Sequence, residues 1–99
     1  MPAELLNIFM HNGSRHFGDL PQSIGWNRLR KHIKRLKGAE VTNFITDNIT
    51  EAWIDFTYRG QQFSVNNQLG RYWFFVEDPK CSDMILEAVL RHCQLVLAD

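Results

Sequence analysis

No charge is in surplus: eleven Lys and Arg balance eleven Asp and Glu. That excludes a protein that coats nucleic acid through bulk charge. No apolar run approaches the ~20 residues that span a bilayer as a helix. The N-terminus has Glu4 early and no basic lead-in to a cleavable apolar stretch, so a secretory signal is not expected and a cytoplasmic location is. Cysteine is scarce. Cys81 and Cys93 are the only thiols, and a last helix beginning near Ser82 would hold them roughly 18 Å apart, beyond disulfide reach. Reduced thiols in a reducing compartment follow.

Recognisable site chemistry is also missing. Gly13 and Gly18 lack the Lys-Ser/Thr that would complete a phosphate loop, and no nucleophile elbow or paired carboxylates stand out. His11 and His16 have no third ligand nearby, so neither a metal nor another cofactor is expected. There is no repeat and no low-complexity segment, and 99 residues fit a single globular domain spanning 1–99.

What the chain does have is an aromatic block, residues 49 to 76, reading ITEAWIDFTYRGQQFSVNNQLGRYWFFV. β-Branched and aromatic runs broken by turn residues predict four strands, at about 41–46, 49–58, 61–66 and 71–77. A two-residue loop at Arg59-Gly60 pairs Tyr58 with Gln61, Phe56 with Phe63 and Ile54 with Val65; a one-residue slip would set Phe63 against a polar neighbour. A four-residue loop at 67–70 pairs Phe63 with Phe74 and Val65 with Tyr72. A two-residue turn at Asp47-Asn48 aligns Val41 with Ile54 and Ile45 with Thr50. One face then gathers Val41, Ile45, Ala52, Ile54, Phe56, Phe63, Val65, Tyr72, Phe74 and Val76 as the core. The other face carries Phe44, Trp53, Trp73 and Phe75 among polar residues, Glu51, Asp55, Ser64, Asn66 and Arg71 included. Four large rings are too many for a solvated face. They call for a cover from the N-terminal residues or a second subunit, or else form a platform for a ligand. Glu51 and Asp55 argue against phosphates there.

Two helices flank the strands. Apolar residues at Trp26, Leu29, Ile33 and Leu36 predict one from about Ile24 to Lys37, capped by Ser23 and stopped by Gly38. Its exposed arc carries Arg28, Arg30, Lys31, Lys34, Arg35 and Lys37 with no carboxylate inside the helix. Residues 1–38 hold seven of the basic residues against Glu4 and Asp19, a net of +5, and the remainder of the chain carries −5. A second helix, about Ser82 to Ala98, is capped by Ser82 and apolar round most of its circumference, which calls for burial on more than one side. Residues 11–16 read as a loop. The apolar run Leu5 to Met10 reads as a short extra element that covers hydrophobic surface.

The expected architecture is therefore α+β, two-layered: a four-stranded antiparallel meander between two main helices (helix–ββββ–helix), with a short N-terminal element. That order approaches a double-stranded-RNA-binding domain. The place where lysines would open the last helix, however, reads Asp78-Pro79-Lys80-Cys81-Ser82-Asp83, and no family is recognised. The first functional expectation is a non-catalytic interaction protein, homodimeric or docking a protein partner through apolar surface. The basic helix keeps nucleic-acid binding open. Cys81, beside Lys80 and just ahead of a helix N-terminus, keeps a thiol-dependent enzyme open.

Overall fold

The structure is a computed structural model that describes residues 4–47 and 49–97. It is α+β, but the sheet has six strands rather than four, and the order helix–ββββ–helix is corrected to ββ–helix–ββββ–helix. In chain order these are β1 (Ile8–Phe9), β2 (Arg15–Pro21), α1 (Trp26–Ile33), β3 (Ala39–Thr46), β4 (Ala52–Tyr58), β5 (Gln61–Gln68), β6 (Arg71–Val76) and α2 (Asp83–Gln94). Across the sheet the order is β1-β2-β6-β5-β4-β3, antiparallel throughout. The meander β3–β6 is as expected, and β6 continues sideways onto β2.

β2 is what the residue pattern hid. Its sequence, RHFGDLP, lacks β-branched residues and contains glycine, aspartate and proline, all disfavoured in strands. The pairing with β6 is what makes it a strand. A bulge between His16 and Gly18 turns Phe17 and Leu20 into the core. Gly18 lies directly under α2: a Cβ there would sit 2.5 Å from Leu90 Cδ1 and 3.4 Å from Phe74 Cβ.

Register holds where the turn was read correctly and moves where it was not. Tyr58–Gln61, Phe56–Phe63 and Ile54–Val65 pair as expected across the Arg59-Gly60 turn. The next turn is tighter than expected. Leu69 and Gly70 both take positive φ (50° and 79°), so β5 runs on to Gln68 and Phe63 pairs with Val76, Val65 with Phe74. The shift is an even number of residues, so every side chain keeps its face. β3 is different. Thr46 pairs with Ala52 across a five-residue loop, and a bulge lies between Val41 and Asn43. Phe44 therefore pairs with Ile54 and faces the core side, while Ile45 pairs with Trp53 and is 58 % exposed. The expected places of these two residues are exchanged. Asp47 builds the loop: its carboxylate accepts from the backbone N–H groups of Ile49, Thr50 and Glu51. Those bonds hold its pKa well below the usual carboxylate range. Asn67 buttresses the loop, accepting from Ala52 N and donating to Thr50 O.

Both helices lie on the Ile54/Phe56/Phe63/Phe74 side, α1 toward β3 and α2 toward β2. Burying these side chains contributes about 1.5–3 kcal/mol each. α1 is shorter than expected. Gly25, extended at ψ 158°, precedes it and Ser23 does not cap it, bonding instead to Val96 O. After Ile33 the chain tightens into bonds from Arg35 to His32 and Leu36 to Ile33, before Gly38 reverses it at φ +91°. α2 begins as expected, with Ser82 Oγ accepting from Met84 N. It ends at Gln94, short of the expected helix to Ala98, with Leu95 as its C-cap; Ala98, and Asn48, expected in a turn, lie outside the described residues. The two helices are clasped by a reciprocal pair: His32 Nε2 donates to His92 O and His92 Nε2 to His32 O, both at 2.6 Å. The two rings stack at 4.0 Å. Among the described residues no helix is long and apolar enough to cross a membrane.

Candidate functional site

With both helices on one side, the other face of the sheet is left open, and strand alternation sets what it shows. One row across five strands reads Ile45, Trp53, Asn66, Trp73, Asp19; the next reads Asn43, Asp55, Ser64, Phe75, His16. Trp53, Trp73 and Phe75 stand there as expected. Phe44 does not: it packs against the core from the helix side, under the Arg30 guanidinium at 4.8 Å from its ring centroid.

The rings form a connected series. Trp53 lies parallel to Phe75 with centroids 6.2 Å apart, Phe75 is 5.1 Å from the His16 ring, and His16 stacks on Trp73 at 4.8 Å. His16 comes from the unforeseen β2, so the N-terminal region does cover part of the aromatic face. Its Nε2 donates to Gly18 O, and burial lowers its pKa by disfavouring the charged form. Trp53 is left uncovered, 39 % exposed.

Beside it the face sinks into a trough of about 670 Å³, bordered by Met10, Asp55, Asn66 and Glu77 as well as Trp53 and Trp73. Asp55 is fixed at its floor: Oδ1 accepts from Trp53 Nε1 at 2.8 Å and from Ser64 Oγ at 2.7 Å. Trp53, Asn66 and Gln68 border both this trough and a second hollow of about 430 Å³ at the end of the sheet, beside Ile45 and Asp47. Asn66 is only 9 % exposed, and among the described residues its Oδ1 has no hydrogen-bond partner. A buried carbonyl left unsatisfied costs about 1–3 kcal/mol. No Lys or Arg borders the trough, and Arg71, the cation on this face of β6, is paired with Asp19. Alternation had already placed Asp55, Ser64 and Asn66 on the tryptophan face; nothing in the sequence distinguished them from solvated polar residues.

The other expected sites sit elsewhere. Arg28, Lys31, Lys34, Arg35 and Lys37 are exposed, the last three in the turns after α1, and Arg30 is half-buried against Phe44. Neither ion pair between described residues, Arg15–Asp83 and Arg71–Asp19, uses any of the six. Cys81 is buried, and burial together with Asp78 pushes its thiol up, opposite to the activation expected from Lys80 and the helix end. Cys93 is enclosed in the core and pushed up to about 12. Among the described residues no three His, Cys, Asp or Glu gather at metal-binding distance. Comparison of the chain with protein-family models, with curated proteins and with solved structures gives no match.

Proposed function

We propose that this chain is a non-catalytic interaction domain that docks a protein partner on the open face of its sheet. The single observation that carries the reading is the uncovered Trp53 beside the trough, on a face that neither α1 nor α2 occupies. Tryptophan and other aromatic residues dominate the energetics of protein interfaces, and isoleucines flank this surface, Ile8 48 % and Ile45 58 % exposed. Self-association belongs to the same reading, with a qualification from charge. Apposing the open faces of two copies gathers four carboxylates, Asp55 and Glu77 of each, in one interface that no Lys or Arg borders at the trough, and like charges at an interface are costly. A partner that brings a different surface fits better than a two-fold pair of identical faces.

Site-specific photo-crosslinking in the native cells tests the reading. A photoreactive residue replacing Gln62, on the open face, is expected to capture a defined protein, and one replacing Lys31 on α1 is not. Capture from α1 alone would refute the proposal. A crosslinked band at twice 11.6 kDa would identify the partner as a second copy.

The exposed cations of α1 support a second reading, nucleic-acid binding. That binding would weaken steeply with salt and fall uniformly across sequences when Arg28, Lys31 and Arg35 are neutralised. No binding at low salt would end it.

A further inference from the structure

We infer that the trough beside Trp53 is a seat for an arginine side chain of the docked protein. This rests on the open face being the docking surface and adds the chemistry of what it receives. Three observations converge. First, Asn66 is nine-tenths buried at the edge of the trough, and its Oδ1, closed to solvent as the side chain stands, has no hydrogen-bond partner among the described residues; a small turn of the amide toward the trough would bring it within reach of a ligand. The missing partner is therefore a donor. Second, the charge at the trough is all of one sign: Asp55 and Glu77 border it and no Lys or Arg does. An anionic ligand, a phosphate or an acidic peptide, meets repulsion there, and a neutral one leaves the carboxylates unmatched. Third, the exposed Trp53 ring offers a flat π surface, and its indole N–H is already committed to Asp55, which fixes ring and carboxylate relative to one another.

Among protein side chains, arginine answers all three demands. Its guanidinium is planar and stacks on an indole face, is always charged, and fans donors in several directions in one plane. Asp55 and Asn66 are diagonal neighbours on adjacent strands of one face, with Cα atoms roughly 7 Å apart. One guanidinium lying beside Trp53 can donate to Asp55, and to Asn66 once that side chain turns toward the trough. Lysine supplies the charge as a compact, strongly hydrated point and forgoes the stacking. Neither of the chain's own ion pairs between described residues places an arginine here, so the seat is left for a partner.

The test uses the whole chain, isotopically labelled, titrated with N-acetyl-arginine amide and followed by NMR at the Trp53 indole N–H and the Asn66 side-chain amide. Saturable shifts at both are expected. N-acetyl-citrulline amide, nearly the same shape but uncharged, is expected to bind at least about tenfold more weakly, and Asp55→Asn is expected to weaken arginine by a similar factor. Equal responses to arginine and citrulline, or no saturation, would overturn the assignment, and both measurements use the unaltered protein. The two proposals fail separately. If the photoreactive residue at position 62 still captures a protein while arginine gives no shifts, the docking face stands and the arginine seat falls. Arginine shifts without any crosslinked protein would leave the seat and remove the docking reading.

Discussion

Replacing Gly18 by alanine tests the strand that the residue pattern concealed. In a surface loop, Gly→Ala usually stabilises by about 0.4–1 kcal/mol, because the unfolded chain loses freedom. Beneath α2 the sign reverses. The new methyl carbon would lie 2.5 Å from Leu90 Cδ1, where carbon contacts settle near 3.5–4.0 Å. Leu90 would have to retreat by about 1 Å, yet it is only 2 % exposed, and the new carbon would also sit 3.4 Å from Phe74 Cβ, so it cannot shift far itself. Overpacking of this kind costs about 1–3 kcal/mol. Against the unfolded-state gain, a net loss of about 1–2 kcal/mol is expected. Urea unfolding would read it as a lower midpoint at unchanged slope. A cycle with Leu90→Ala sharpens the result, since the double variant should be about 1 kcal/mol more stable than the sum of the single losses. A Gly18→Ala protein as stable as the parent, or more so, would refute the placement of β2 under α2.

Other outcomes follow from the same geometry. Leu69 is 98 % exposed and held at φ 50°, a region costly for branched side chains. Leu69→Asn should therefore raise stability by about 0.5–1 kcal/mol in urea unfolding; a loss would mean that the exposed leucine is held by contacts within the chain. His16 and His92 both have pKa values lowered by burial, so the unfolded chain binds their protons more tightly than the native one. Stability should be complete above about pH 6.5 and decline as pH falls below it. Melting at pH 7.5 and 5.0 should show the drop, and a double variant His16→Gln/His92→Gln should flatten it. Both thiols should resist modification in the native protein, because burial disfavours the thiolate at Cys81 and Cys93. Rapid native labelling of Cys81 would reopen the enzyme reading.

Much of this surface was legible before any coordinates. Alternation in 52–58, 61–66 and 71–76 separated Ile54, Phe56, Phe63 and Phe74 from Trp53, Trp73 and Phe75, and it survived an incorrect turn because the register shifted by an even number. β3 failed where a bulge broke the count: past Val41 the parity changes, which sends Asn43 and Ile45 outward and Phe44 inward. β2 left no local trace, since its strand character comes from its neighbour β6 and its glycine from the closeness of Leu90. His16 was illegible for the same reason. Asp55 and Asn66 were placed on the correct face, but only three-dimensional packing reveals that one is anchored by an indole N–H and the other left without a donor.

Asn66→Leu puts the central claim at risk most directly. Leucine is close to asparagine in shape and removes an unsatisfied buried carbonyl, a change that is nearly neutral or stabilising when the polar group serves only a ligand. Unfolding and arginine titration of the same variant should then diverge: stability unchanged or higher by up to about 1–2 kcal/mol, binding at the open face lost. A variant that unfolds more easily and binds as before would show that Asn66 supports the sheet rather than a partner, and would remove the main reason for placing the working surface there.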